Sequence, residues 1–254
     1  MTFASVVAAT RLIDGSGAAN ATRAWATPTM SRRSLIAAGS LLLLPSGLRA
    51  AGATPNIIVD TQDAPSLEAW SQELRRRIVS WWPLVAGALA SPGYRPPDNV
   101  YIKFRTDLPE GLAGHTAGNI IALNAPYIMA HPTFYNYVGH ELVHVVQDYK
   151  PPFIPWLVEG IADYVRYYVL FPQDPERRFN PAAGDYRRGY QPAAALLDWI
   201  ERTHGVGSVR RANAAMRAGE DGEAQLAKDA GRPLDEVWMD VVASLTDGSP
   251  IPQA

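Results

Sequence analysis

The stretch H-E-L-V-H places two histidines four residues apart, with a glutamate directly after the first. On an α-helix, positions i and i+4 lie on one face, so His140 and His144 can direct two imidazole nitrogens at one metal ion. Glu141 lies about 100° around the helix from His140. From there its carboxylate can reach a water at the ion without being a ligand. The alternative is an ordinary surface helix with two solvated histidines, because five-residue patterns of this kind recur by chance.

A catalytic zinc site needs a third protein ligand and one open position. A histidine six residues after His144 would supply the ligand, but Lys150 occupies that position. The remaining common solution is a glutamate on a following helix. Glu159 lies fifteen residues after His144, in P-W-L-V-E-G-I-A-D-Y, and the prolines between the two motifs favour a reversal between antiparallel helices. Glu159 is therefore the predicted third ligand.

Asp163 follows Glu159 at i+4, on the same face of that helix. A zinc-bound histidine usually donates its other ring N–H to a carboxylate, which fixes its tautomer and orientation. Asp163 is predicted to do this for His140. The alternative is that both acids belong to a solvated helix face. Their neighbours are mostly apolar, however, and two unpaired acids in so apolar a helix would be costly to bury.

The chain resembles the plant basic secretory protein family, a group of zinc peptidases with bacterial members. Three stretches carry the resemblance: H-E-L-V-H-V-V-Q-D-Y-K, P-W-L-V-E-G-I-A-D-Y-V-R-Y-Y and G-Y-Q-P-A-A-A-L-L-D-W-I-E. More broadly the chain is similar to gluzincins, whose pattern is H-E-x-x-H followed by E-x-x-x-D. The resemblance extends from about residue 56 to residue 245 and is strongest over residues 139–200. It implies a zincin-like fold and a zinc-dependent peptidase.

In that peptidase Zn²⁺ would be held by His140, His144 and Glu159, would acidify a water and would polarise the scissile carbonyl. Glu141 would accept the proton of the water as general base and later pass it to the leaving amine. The tetrahedral intermediate also needs a hydrogen-bond donor for its oxyanion. Tyr190 is the candidate, because a tyrosine in a comparable downstream helix has this role in several gluzincin groups.

Three further expectations concern the surroundings of the site. Tyr190 could instead be a packing aromatic, and Tyr186 and His115 are weaker candidates for the oxyanion donor. Residues 115–124 are the predicted edge strand along which substrate backbone would lie. The expected partner is a peptide or protein substrate, and oligomeric state is not readable from the sequence.

Composition and charge exclude some classes of protein. With 47% hydrophobic and 19% charged residues, the chain is globular rather than disordered. Residues 1–53 carry five arginines and one aspartate, a net charge of +4, so the remainder of a chain of net charge −2 carries −6. This acidic body lacks the basic surface that nucleic acid binding needs. There is no cysteine, so any metal ligands are histidine, aspartate or glutamate.

The N-terminal region is predicted to lie outside the folded domain. Residues 30–53 combine a paired arginine, an apolar run and A-G-A as a cleavage site, the layout of a twin-arginine signal peptide. Residues 1–29 are expected to be a non-native or disordered extension, with translation starting at Met30. The alternative is an uncleaved anchor. The mature protein is expected to be periplasmic or secreted, without stable membrane insertion.

Residues 54–254 are predicted to form a single domain of α+β class. Strands are expected at 56–60 and 100–107 and in A-G-N-I-I-A-L-N-A-P-Y-I, the last ending near Pro126. After one helix over 66–89, helices dominate from residue 133 onward. A small N-terminal mixed sheet would then pack on helices that include the active-site pair, followed by a helical C-terminal part. Two alternatives to the peptidase are a catalytically weak or inactive zinc-binding protein and a hydrolase of a cell-wall amide.

Overall fold

A small sheet lies near the start of the domain, and one of its strands shows the alternation of buried and less buried residues that is typical of a strand with one face on the core. In the strand over Asn99–Arg105, the side chains of Val100, Ile102 and Phe104 are buried and their neighbours are not. The computed structural model describes residues 53–246, so the predicted extension and signal peptide lie outside the described residues except for Ala53. Four strands are present in the described part: β1 Asn56–Asp60, β2 Asn99–Arg105, β3 Gly114–Ala117 and β4 Ile120–Asn124.

The sheet is mixed, with strand order β1-β2-β4-β3. β1 pairs with β2 and β2 with β4 in parallel, and the first of these connections crosses through a long helix. β3 pairs antiparallel with β4, with Ala117 opposite Ile120, so a two-residue turn joins them. β3 therefore forms one edge of the described sheet.

The prediction of a single strand over residues 115–124 is wrong, because this segment is the β3–β4 hairpin. Gly118 in the turn has φ +59°, a left-handed conformation that the tight turns of hairpins require and that glycine adopts without strain. Pro126 does not end a strand either. β4 ends at Asn124, and the proline lies in the first turn of the helix that follows.

Helices make up most of the remainder, in agreement with the predicted α+β class. Residues 155–170 are helical but do not form one regular α-helix, because the last six residues, Val165–Leu170, form a π-helical turn. A helix over Gly222–Ala230 was not predicted. The helices of the described residues are α1 Glu68–Ala88, α2 Ala125–Ala130, α3 Asn136–Gln147, α4 Pro155–Tyr164, α5 Tyr190–Thr203, α6 Ser208–Ala218, α7 Gly222–Ala230 and α8 Leu234–Thr246.

The helix α3 lies in the middle of the fold, and ten of its twelve residues are buried. It contacts the sheet through β3 and β4, and it contacts α1 and α4 on other sides. α4 in turn packs closely on α5, where Gly160 leaves room for the side chain of Ala193. Within residues 53–246, no helix combines the length and apolar character needed to cross a membrane.

Candidate metal centre

The pairing of α3 with α4 brings His140, His144 and Glu159 together. We call these three residues the His-His-Glu cluster. The two Nε2 atoms of the histidines lie 3.0 Å apart. Oε2 of Glu159 lies 3.2 Å from Nε2 of His140 and 3.6 Å from Nε2 of His144. Each residue offers one ligand atom, and the three atoms lie within 4.8 Å of one another, so the cluster could hold a metal ion.

The outer nitrogens of both histidines face oxygen atoms. Nδ1 of His140 lies 2.7 Å from Oδ1 of Asp163, which occupies the position relative to His140 predicted from the sequence. Nδ1 of His144 lies 2.7 Å from Oε1 of Gln147, a partner that sequence reasoning missed. The four side chains lie on only two helices, so the spacing of residues along α3 and α4 largely determines this arrangement.

The cluster fits a cation. Oε2 of Glu159 is buried and receives no hydrogen bond of acceptable geometry from the described residues. Each Nδ1 atom can donate a hydrogen bond through its N–H to the oxygen that it faces. The two Nε2 lone pairs are then left pointing inward, at a carboxylate oxygen. Three acceptors that converge in a buried place are stable only with positive charge between them.

The pKa shifts of the cluster agree with this conclusion. Burial lowers the pKa of His140, but the carboxylates of Asp163 and Glu159 outweigh it and raise the pKa to about 10. Burial likewise lowers the pKa of His144, and Glu159 reverses this to a net rise. Burial raises the pKa of Glu159, but the two histidines lower it well below its usual range. Nitrogen ligands of this kind suit zinc and other first-row transition metal ions better than calcium or magnesium.

Glu141 is held by a residue from the sheet. Its side chain is 2% exposed, and Oε2 accepts a hydrogen bond of 2.6 Å from the hydroxyl of Thr116 on β3. The same hydroxyl lies 3.1 Å from the backbone oxygen of Glu141. The shorter contact to the charged group shows where the single hydroxyl proton is donated. Sequence reasoning missed Thr116, because residues 115–124 were interpreted as one edge strand for the substrate backbone, and no contact with Glu141 was assigned to a side chain of that strand.

Tyr190 lies beside the cluster. Its ring stacks on that of His140, with centroids 6.1 Å apart and planes inclined by 20°. It has φ +52°, an uncommon conformation for a non-glycine residue and one that is enriched at functional sites. Gly189 before it has φ +77° and packs so closely on α4 that an added Cβ would lie 3.2 Å from Cβ of Glu159. The chain therefore fixes the start of α5 directly against the third predicted ligand.

The weaker candidates for the oxyanion donor lie elsewhere. Tyr186 is fully buried, and its hydroxyl donates to Asp235 Oδ1 at 3.0 Å while its ring packs on Trp156. His115 is adjacent to Thr116 on β3. Because successive side chains of a strand point to opposite faces, it points away from the face on which Thr116 contacts Glu141.

A buried arginine extends the network behind Asp163. Nη1 of Arg166 lies 3.8 Å from Oδ1 of Asp163, and its Nη2 donates to Glu176 at 2.8 Å. Arg166 belongs to the π-helical turn after α4 and is 3% exposed. The turn therefore places a positive charge between Asp163 and the loop that leads to Tyr190.

Fold and site together define an α+β protein with a largely buried His-His-Glu cluster that could hold a metal ion. Residues 104–241, more than half of the 254-residue chain, match the BSP family, described as peptidase of plants and bacteria. The chain belongs to this family, so the resemblance inferred from the sequence is confirmed, and peptidase function is supported at the level of the family. Comparison with curated proteins and with solved structures gave no match.

Proposed function

We propose that this protein is a zinc-dependent peptidase. The observation that supports it best is the convergence of two imidazole Nε2 atoms and one carboxylate oxygen within 4.8 Å, directly beside a buried glutamate. Two histidines and a glutamate form the ligand set of one established class of catalytic zinc site. Membership of a peptidase family supports the reaction class.

In the proposed reaction Glu141 accepts a proton from the attacking water and returns it to the leaving amine. Thr116 holds one carboxylate oxygen of Glu141, which leaves the other oxygen to face the water. When bound, zinc supplies a Lewis acid that polarises the peptide carbonyl and increases the acidity of water. Tyr190, beside His140, is proposed to donate a hydrogen bond to the developing oxyanion.

The edge strand β3 is the proposed platform for the substrate backbone. Within the described sheet β3 pairs only with β4, so its other edge can accept an added strand. Thr116 projects from β3 to Glu141. An extended peptide bound along β3 would therefore lie next to the general base. This strand addition suits a peptide better than a compact substrate without backbone amides.

The experiment that tests the proposal combines metal content with hydrolysis. Purified protein is analysed for bound metals and incubated with a peptide library, with and without a chelator. We expect about one zinc per chain and cleavage of peptides. Chelation should abolish cleavage, and added zinc should restore it. Stoichiometric zinc without cleavage would favour an inactive binding protein. Cleavage of cell-wall amides in place of peptides would favour the other alternative.

We also propose that the protein is exported after folding, through the paired arginines Arg32 and Arg33. A twin-arginine route carries folded proteins, and a folded protein can acquire its metal before export. The test replaces both arginines with lysine and follows the location of the protein by cell fractionation. Retention of the double variant in the cytoplasm is expected. Equal export of variant and wild type would contradict the proposal.

A further inference from the structure

The two histidines of the cluster have unlike partners. His140 faces the carboxylate of Asp163, whereas His144 faces the neutral amide of Gln147, three residues further along α3. The amide is 3% exposed and makes a second contact, in which its Nε2 donates to the backbone oxygen of Val158 at 2.7 Å. Val158 directly precedes Glu159 on α4. One amide therefore connects the second predicted ligand to the backbone beside the third.

The direction of these hydrogen bonds follows from chemistry alone. The oxygen of Val158 is a carbonyl and can only accept, so it must face the amide nitrogen of Gln147. The amide oxygen must then face His144, and it too can only accept. Nδ1 of His144 therefore carries a proton and donates it. An imidazole protonated at Nδ1 has its lone pair at Nε2, the atom that points into the cluster.

We propose that Gln147 is a positioning residue that holds His144 in the tautomer required of a metal ligand. The hydrogen bond to the backbone carbonyl of Val158 fixes the orientation of the Gln147 amide. This inference rests on the proposed zinc site and goes beyond it. Asp163 adds negative charge to His140, whereas Gln147 provides orientation without charge. The main chain of Gln147 is held too, because its carbonyl accepts from Arg217 at 2.9 Å.

The test compares zinc binding by three variants. Gln147→Met keeps the length of the side chain and removes both hydrogen bonds, whereas Gln147→Glu keeps an acceptor for His144. The matched control is Asn213→Leu. Asn213 is also a buried amide that accepts from a side chain, Tyr149, and donates to a backbone carbonyl, that of Leu89, but it contacts no residue of the cluster.

Two measurements are made on each protein. Zinc affinity is measured by competition with a fluorescent chelator. The ring protons of His144 are followed by NMR in zinc-loaded protein labelled at histidine nitrogens. Gln147→Met is expected to weaken zinc binding about 10- to 100-fold and to lose the slowly exchanging Nδ1 proton of His144. Gln147→Glu keeps an acceptor for Nδ1–H of His144, so the slow exchange of that proton should persist. It loses the donor to Val158 and turns a buried carboxylate oxygen toward that carbonyl, so its zinc affinity should fall below that of wild type.

The outcomes separate this inference from the zinc proposal. A wild type that binds no zinc refutes the proposed function, and the inference with it. If wild type binds zinc but Gln147→Met binds equally well, only the role of Gln147 is refuted. A loss of affinity in Asn213→Leu equal to that in Gln147→Met would show a general effect of destabilisation and would also refute it. Should Gln147→Met fail to fold, loss of the slowly exchanging Nδ1 proton of His144 in Gln147→Glu, which keeps the acceptor for it, overturns the inference.

Discussion

Arg217 on α6 holds the C-terminal end of the helix that carries both histidines. Its guanidinium donates to the backbone oxygens of Val146 and Gln147 at the end of α3, and to that of Leu89. It is 8% exposed and lies 3.5 Å above the centre of the Tyr94 ring. The last carbonyls of a helix have no partner within the helix, so Arg217 satisfies groups that would otherwise be orphaned. We therefore predict that Arg217→Met destabilises the protein.

The size of this destabilisation depends on which carbonyl groups lose their hydrogen-bond donor. The oxygen of Leu89 also accepts from Asn213 Nδ2 at 3.1 Å and keeps that bond. The oxygens of Val146 and Gln147 are left buried, at a cost of about 1–3 kcal/mol each. Part of this cost is offset, because burial lowers the pKa of Arg217 and so shows that its charge is itself desolvated. The expected net loss is about 2–4 kcal/mol.

Urea denaturation of the metal-free protein measures this loss, with Arg210→Met as the matched control. Arg210 lies on the same helix and is exposed, so its replacement should change the free energy of unfolding by less than about 0.5 kcal/mol. Arg217→Met should lower the midpoint with an unchanged m-value. If Arg217→Met is as stable as Arg210→Met, water satisfies the end of α3 and the reasoning fails.

Three further predictions follow from other contacts. Thr116→Val removes the hydroxyl 2.6 Å from Glu141 and should lower kcat about tenfold with KM unchanged. Thr116→Ser keeps the hydroxyl and should retain activity. An equal loss of activity in both variants would show that the hydroxyl is not responsible. Burial lowers the pKa of His140, but neighbouring carboxylates outweigh it and raise the pKa to about 10, so protons compete with zinc at neutral pH. Chelator competition should therefore find zinc affinity increasing between about pH 6 and pH 9, and a constant affinity would contradict this. Gly160→Ala would place a Cβ 2.6 Å from that of Ala193 and should lower the free energy of unfolding by about 1–3 kcal/mol, measured as a lower Tm. An unchanged Tm would show that α4 and α5 can move apart without cost.

The parts of the site that sequence predicted are those governed by helix periodicity. His140 and His144 lie one turn apart on α3, and Glu159 and Asp163 lie one turn apart on α4. Each pair shares a face whatever the remainder of the chain does. Only the antiparallel packing of α3 on α4 had to be assumed, and the prolines between them favoured it.

Contacts between distant segments could not be predicted in this way. Thr116 meets Glu141 only because the β3–β4 hairpin lies against α3, and 25 residues separate the two in sequence. Arg217 reaches Val146 across 71 residues. No local pattern encodes either contact, since both depend on how complete elements pack.

Two of the missed elements did have local signals. Gly118 and Asn119 form the kind of dipeptide that turns a hairpin, and residues 114–117 and 120–124 are each long enough for a strand. The helix α7 begins after Asp221, whose side chain accepts from Glu223 N and Ala224 N, and it ends at a left-handed Gly231. Capping residues at both ends are the usual marks of a short helix.

The most direct test of the proposed zinc peptidase, with Glu141 as general base, compares the variants Glu141→Gln and Glu110→Gln. Each is assayed for zinc content and for hydrolysis of a peptide that wild type cleaves. Glu110 is exposed and outside the His-His-Glu cluster, so its variant should match wild type in both assays. Glu141→Gln keeps the three predicted ligands and should bind about one zinc per chain while kcat falls by at least about 100-fold. Full hydrolysis by Glu141→Gln would contradict the account, and so would loss of its zinc.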